Sequence, residues 1–319
     1  MGKKPGRRKN NLGSLAAGTA GVLSFPVALA AGWMAYSRLA IDHQVSLYKA
    51  IDAEWRTFMG ERSGELTFYM DRQAAGRPLV LLHSINAAGS SYEMRPLFEH
   101  FRHTRPVFAL DLPGFGFSER SDRTYSPRLY ADAILDFIET EIGEPVDVVA
   151  LSLSSEFAAR AALAQPDRFH SLAMISPSGL TAREESRGSQ KASANRISGQ
   201  IYRLLAFPLW AQAFYDLVAT RASIQYFLQQ SFVGPVDPGL EEYSYATAHQ
   251  GGARYAPLYF VSGRLFTRDV CSGVYEQLKL PVRVIYDRDA FVRFDLLPYL
   301  LGHHPNWSAV RVIPSNGLP

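Results

Sequence analysis

One cysteine, Cys271, is all that the 319 residues contain, which excludes an intrachain disulfide and a cysteine-rich metal site. It leaves the compartment open. Neither sign of charge is in excess: 33 Lys and Arg stand against 30 Asp and Glu, a net charge of +3. Lys3, Lys4, Arg7, Arg8 and Lys9 exceed that figure by themselves, so the remainder is near neutral or slightly acidic and nothing points to nucleic acid. Internal repeats are absent, and low complexity is confined to an Ala/Gly-rich amino terminus. With 47% hydrophobic and 20% charged residues, the composition is that of a globular chain long enough for one large domain with an insertion, or for two domains.

Charge is also missing from Asn10 to Ser37, a mostly apolar run behind the basic cluster that is long enough to cross a bilayer of ~30 Å as a helix. The charge asymmetry predicts the basic end in the cytoplasm and the body outside. Ala28-Leu29-Ala30 fits a signal-peptidase site, so a removed signal competes with a retained anchor. Arg7-Arg8 hints at twin-arginine export, though Asn10-Asn11 stands where a hydrophobic pair belongs.

Past this arm, Arg38 to Arg62 reads as a mixed, helical connector. Strand and helix signals then alternate. Apolar strands are predicted at Glu65–Met70, Leu79–Leu82, Pro106–Leu110, Val146–Ala150, Leu172–Ile175, Val282–Tyr286 and Val310–Ile313, and amphipathic helices at Ser91–Phe101, Ser126–Ile142 and from Ser154. Short apolar strands separated by helices imply a mostly parallel sheet covered on both faces. From Thr181 to Leu278 the alternation stops. Helical stretches rich in Tyr202, Phe207, Trp210, Phe214, Tyr226 and Phe227 read there as an inserted helical cap, its aromatics mostly cap core with a minority facing a pocket.

The strand at Pro145–Ala150 runs into an Ala-rich helix through Ala150-Leu151-Ser152-Leu153-Ser154. Small residues two positions either side of Ser152 let strand and helix approach across a tight turn that presents the hydroxyl, as at a nucleophile elbow. An ordinary serine N-cap is the competing reading of these five residues. Ser154 fits a nucleophile less well, because Glu156 lies two residues on.

Two further segments precede the elbow in order: Leu81-Leu82-His83-Ser84-Ile85-Asn86 at a strand end, and Asp111-Leu112-Pro113-Gly114-Phe115-Gly116-Phe117-Ser118. With all three, the chain from about Leu66 resembles the α/β-hydrolase superfamily. The resemblance implies an α/β fold, a mostly parallel, doubly covered sheet with an inserted helical cap. Its parts would be a basic terminus with anchor or signal at 1–37, a connector at 38–62, core at 63–180, cap at 181–278 and core again at 279–319. It implies Ser152 as nucleophile and the amides of Ile85 and Leu153 as oxyanion donors, with His83, Ser84 and Asn86 as the supporting loop. Asp289 falls where the family carries its acid, and Asp287 is the alternative; both could instead be turn aspartates.

The family's histidine after the last strand is missing: the chain reads Ile313-Pro314-Ser315-Asn316-Gly317-Leu318-Pro319. Loss of this histidine together with the closing helix suggests a shortened carboxyl end. His303 and His304 precede the last strand and read as surface residues near a helix end, and His249 lies in the cap. The implied activity is hydrolysis of an ester or similar acyl bond through an acyl-enzyme, on a small, apolar acyl substrate, with no metal or organic cofactor. Acyl transfer to an alcohol would use the same residues. The alternative is an inactive binding or membrane-associated module of the same fold.

Overall fold

The computed structural model describes Gly2, residues 28–182 and residues 188–318. The chain divides after Ile41 into two units. In the first, residues 28–40 form helix α1, with the Trp33 and Tyr36 rings stacked at 5.7 Å on one side of it. Among the described residues no helix is long and apolar enough to cross a membrane. Residues 10–27 of the expected membrane or signal segment lie outside the described residues.

The second unit is built on an eight-stranded sheet of order β1-β2-β4-β3-β5-β6-β7-β8. Its strands are β1 (Glu54–Gly60), β2 (Gly64–Asp71), β3 (Leu79–Leu82), β4 (Val107–Leu110), β5 (Val146–Leu151), β6 (Phe169–Ile175), β7 (Val282–Tyr286) and β8 (Trp307–Arg311). β1 pairs with β2, and β2 with β4, antiparallel; every other pairing is parallel. Two expectations shift here. The helical connector ends at residue 40, and Glu54–Gly60 is a strand. β1 is an edge strand with both faces largely exposed, so its alternation carries little hydropathy contrast and only pairing with β2 makes it a strand. The last strand begins at Trp307, three residues earlier than its apolar run suggests.

Successive side chains of the parallel strands point to opposite faces, and both faces are buried. Val80 and Leu82 pack with Phe68, Phe108 and Phe137 on one side; Leu79 and Leu81 pack with Ile51, Phe98 and Tyr243 on the other. Helices α2 (Arg95–Phe101), α3 (Pro127–Phe137) and α4 (Ser154–Ala164) follow β3, β4 and β5. α3 starts where Ser126 Oγ accepts the Leu129 amide at 3.2 Å and Pro127 fills the first turn, and Gly143 at φ 78° ends the π-type turn that continues it.

Between β6 and β7 the described chain is helical: α5 (Gly188–Leu205), α6 (Ala211–Val218), α7 (Arg221–Ser231), α8 (Pro238–Ala248), α9 (Tyr255–Val261) and α10 (Val270–Gly273). α11 (Leu297–His303) precedes β8. Tyr215 on α6 donates its hydroxyl to the Ala87 carbonyl at 2.8 Å, and its ring packs with Ala87 and Ala88, so this helical layer rests on the loop after β3.

Candidate active site

Each expected site residue stands at the carboxyl end of a parallel strand, where open α/β sheets gather their ligand-binding loops. β5 ends at Leu151, α4 begins at Ser154, and Ser152 takes up the reversal at φ 55°. A side chain in this left-handed region costs about 1–2 kcal/mol relative to ordinary backbone. The turn is held by the Ser152 amide on the Ile175 carbonyl at 2.8 Å and by the Ser155 hydroxyl on the Ala150 carbonyl at 3.1 Å. Ser152 is half-buried, whereas Ser154 is fully buried and donates its hydroxyl to the His83 carbonyl at 2.5 Å. Only Ser152 is presented.

The loop after β3 is fixed around two groups, the buried His83 and the half-buried Glu93. His83 Nε2 accepts the Leu112 amide at 3.0 Å, which assigns the proton to Nδ1, and Nδ1 donates to the Ser84 carbonyl at 2.6 Å. With both ring nitrogens engaged and no exposure, His83 is a brace under the loop. The Glu93 carboxylate receives the Ser84 amide at 2.7 Å, the Ser84 hydroxyl at 2.9 Å and the Asn86 amide side chain at 3.2 Å. Burial raises the Glu93 pKa above the ordinary range, against lowering by His83 and by these donors. Asp111 holds the neighbouring loop, accepting the Ser91 and Phe117 amides at 3.0 Å each, and Gly116 passes so close that a Cβ there would lie 2.0 Å from the Asp111 Cγ. Among the described residues, neither the Ile85 nor the Leu153 amide donates to another protein group. Both remain able to bind an oxyanion.

Asp289 follows β7, two strands from Ser152 across the sheet, a separation of about 10 Å at ordinary strand spacing. Its Oδ1 accepts the Phe291 and Val292 amides at 2.7 and 3.1 Å. Burial raises its pKa, opposed by those amides and by the Ser176 hydroxyl. Ser176 ends β6 at φ 43°; its buried hydroxyl approaches Asp289 without reaching hydrogen-bond geometry with any group. Asp287 has other work: it accepts Arg311 Nε at 2.7 Å and the Ser315 amide at 3.1 Å, and these bonds, the Ser315 amide foremost, hold its pKa below the ordinary value. That pairing sets it apart from Asp289, whose Oδ2 accepts no hydrogen bond from a described residue.

The histidines whose contacts are described are engaged away from Ser152 and Asp289. His43 Nε2 meets Asp216 Oδ2 at 3.0 Å, and His249 Nδ1 bonds the Tyr245 carbonyl at 2.8 Å while its ring lies on Tyr245 at 4.0 Å. His303 bonds the Tyr299 carbonyl at 2.9 Å at the end of α11, and His304 faces the same Tyr299 ring. No group of three metal-ligating side chains stands together among the described residues.

The sequence profile of the alpha/beta hydrolase family matches residues 79–315, which takes in the elbow, both loops and both aspartates. The chain belongs to this family. Two curated relatives of this hydrolase are each 27% identical to it: the pimeloyl-[acyl-carrier protein] methyl ester esterase of Chromobacterium violaceum over 146 residues, and the 2-hydroxymuconate semialdehyde hydrolase of a Pseudomonas species over 109 residues. These matches cover 44% and 34% of the chain, and the chain spans 55% and 38% of the two relatives' lengths. An alpha/beta hydrolase fold protein from Burkholderia ambifaria superposes with a TM-score of 0.61 at 17% identity, covering 87% of this chain and 94% of its own.

Two residues of the candidate site escaped the sequence reading. Glu93 sits inside the stretch read as an amphipathic helix, and its one signal was an acidic residue among apolar neighbours; the chain there is a 3₁₀ turn, Ser91–Met94, that turns the carboxylate under the loop. Ser176 had no signal at all. Its strained backbone and unpartnered hydroxyl exist only in the folded chain.

Proposed function

We propose that this alpha/beta hydrolase cleaves an ester or similar acyl bond with Ser152 as nucleophile. The observation that carries the reading is the half-buried Ser152 at φ 55° on the β5–α4 turn, beside two amides, Ile85 and Leu153, that donate to no described protein group. Ser152 Oγ attacks the acyl carbon and its proton passes to a base; the carbonyl oxygen becomes an oxyanion held by the two amides, each donor of this kind being worth about 3–4 kcal/mol of barrier. The carbonyl re-forms as the alcohol leaves with that proton, and water then releases the acyl group by the same steps. Asp289 orients the base and supports its cationic form. The apolar and aromatic cap favours an apolar acyl group, and the esterase named among the relatives is consistent with an ester.

No described histidine contact is with Ser152 or Asp289, which favours a second reading, a binding module of the same fold with little turnover. Attachment to or export across a membrane through residues 1–37 rests on their charge and hydropathy pattern. The test is hydrolysis of p-nitrophenyl butyrate together with labelling by a fluorophosphonate probe, each against Ser152→Ala. Turnover and labelling that both vanish in Ser152→Ala support the hydrolase; no labelling and no turnover support the binding module.

A further inference from the structure

The outer side of the cap carries large apolar side chains that the hydrolase chemistry does not use. On α5, Ile197, Ile201 and Leu204 are spaced four and three residues apart and therefore share one stripe about 10 Å long. Leu204 is 61% exposed and Ile197 52%. The turn into α6 continues the ridge with Phe207 and Leu209, both about half exposed, and Phe207 is propped against Trp210 at 4.6 Å. The opposite side of α5 anchors the helix: the Tyr202 ring lies 4.1 Å from that of Tyr259.

The charges along α5 and the turn that follows it have one sign. From Gly188 to Tyr215 the sequence holds Lys191, Arg196 and Arg203 and no acidic residue. Arg196 and Arg203, seven apart, form an exposed stripe beside the apolar one. Beyond them a cleft of about 520 Å³, lined by Ser198, Gly199, Arg264, Arg268 and Asp269 among others, opens along α5 with two arginines against one acid, and Arg264 lies over the Tyr202 and Tyr259 rings. Around the helix the surface therefore passes from apolar to cationic to a cleft lined by two arginines and Asp269.

We propose that this face of the cap docks onto an anionic lipid bilayer, with the Ile197–Leu209 ridge in the interface and the arginines against lipid phosphates. An amphipathic helix with Arg and Lys on its polar side and Leu, Ile and Phe on the other is built to lie in the plane of such an interface. A second copy of the chain is a poorer occupant, because facing copies would set like charges together, whereas anionic headgroups complement them. The inference is independent of the chemistry at Ser152, so loss of either leaves the other standing.

The test uses the full chain carrying Leu204→Cys labelled with the environment-sensitive NBD fluorophore. Cys271 is buried, and burial pushes its thiol up to about 11, so it stays unlabelled at neutral pH. A matched Arg77→Cys label, exposed just before the amino end of the central strand β3, at the end of the sheet away from the loop on which the helical layer rests, controls for tethering by the amino-terminal arm. Vesicles of three parts phosphatidylcholine to one part phosphatidylglycerol are expected to brighten NBD at 204 several-fold and leave 77 unchanged, with little effect from phosphatidylcholine alone. Arg196→Gln with Arg203→Gln should weaken the response to anionic vesicles by about tenfold or more. No change at 204, an equal response at 77, or brightening without lipid that rises with protein concentration would each overturn the proposal, the last in favour of self-association.

Discussion

Gly317 passes beside the carboxylate of Asp289 so closely that a Cβ built on it would lie 2.8 Å from Oδ2. The loop after β8 therefore reaches the Asp289 carboxylate, and it presents hydrogen there in place of a side chain. The same loop is pinned to the cap by the Leu318 amide on the Ser231 carbonyl at 2.9 Å and by Asn316 on the Phe232 carbonyl at 3.1 Å.

Imidazole supplied in solution tests whether Ser152 can act as a nucleophile when an external base is present. At tens of millimolar, imidazole is expected to raise p-nitrophenyl acetate hydrolysis by the chain above the Ser152→Ala background. A rise identical in Ser152→Ala would show that imidazole acts on the ester alone.

The two aspartates after β7 should separate by phenotype. Asp287→Ala removes the partner of Arg311 and of the Ser315 amide, so it lowers the melting temperature. Asp289→Asn should leave the melting temperature close to that of the parent and reduce the imidazole-supported rate. Calorimetry and initial rates on the same preparations check both; the reverse pattern would exchange their roles.

Strain at the elbow is measurable as stability. Ser152 at φ 55° is a conformation that glycine adopts freely, so Ser152→Gly is expected to stabilise the chain by up to about 1 kcal/mol in urea unfolding while abolishing hydrolysis. Ser152→Val, branched at Cβ, should destabilise it.

Acid stability depends on Asp136. Burial raises its carboxyl, but the Ser63 hydroxyl at 2.7 Å, the Arg62 amide at 2.9 Å, the Ser63 amide at 3.0 Å and Arg62 Nε at 2.6 Å outweigh burial and hold its pKa below the ordinary value. Stability from a depressed carboxyl is present above its unfolded-state pKa near 4 and is lost as pH falls through the folded value. Asp136→Asn should therefore lower the melting temperature at pH 7 and flatten its fall below pH 4, both visible in thermal melts across pH 2–7.

The parallel core was legible because buried strands are short, apolar and bounded by turn residues. Val107–Leu110 and Val282–Tyr286 could be placed within a residue on that basis. β1 was not legible: Glu54–Gly60 faces water on most of its length, and its partner rather than its composition makes it a strand. The elbow could be read because its requirement is local, small residues beside a serine between a strand and a helix. The brace beneath the oxyanion loop could not, since Glu93 meets Ser84 and Asn86 only after a 3₁₀ turn folds it back.

What the sequence determined by itself was set by periodicity and by short-range sterics: the series of parallel strands, the helical insertion, the turn at Ser152 and the want of a histidine near the carboxyl end. Tertiary structure decided which groups share a place. It set Asp289 two strand widths from Ser152, turned Asp287 onto Arg311, laid Gly317 against the Asp289 carboxylate and left the Ile197–Leu204 stripe outward on the cap. Those relationships join residues up to 137 positions apart, and they follow from strand order and side-chain packing, which no local window of sequence encodes.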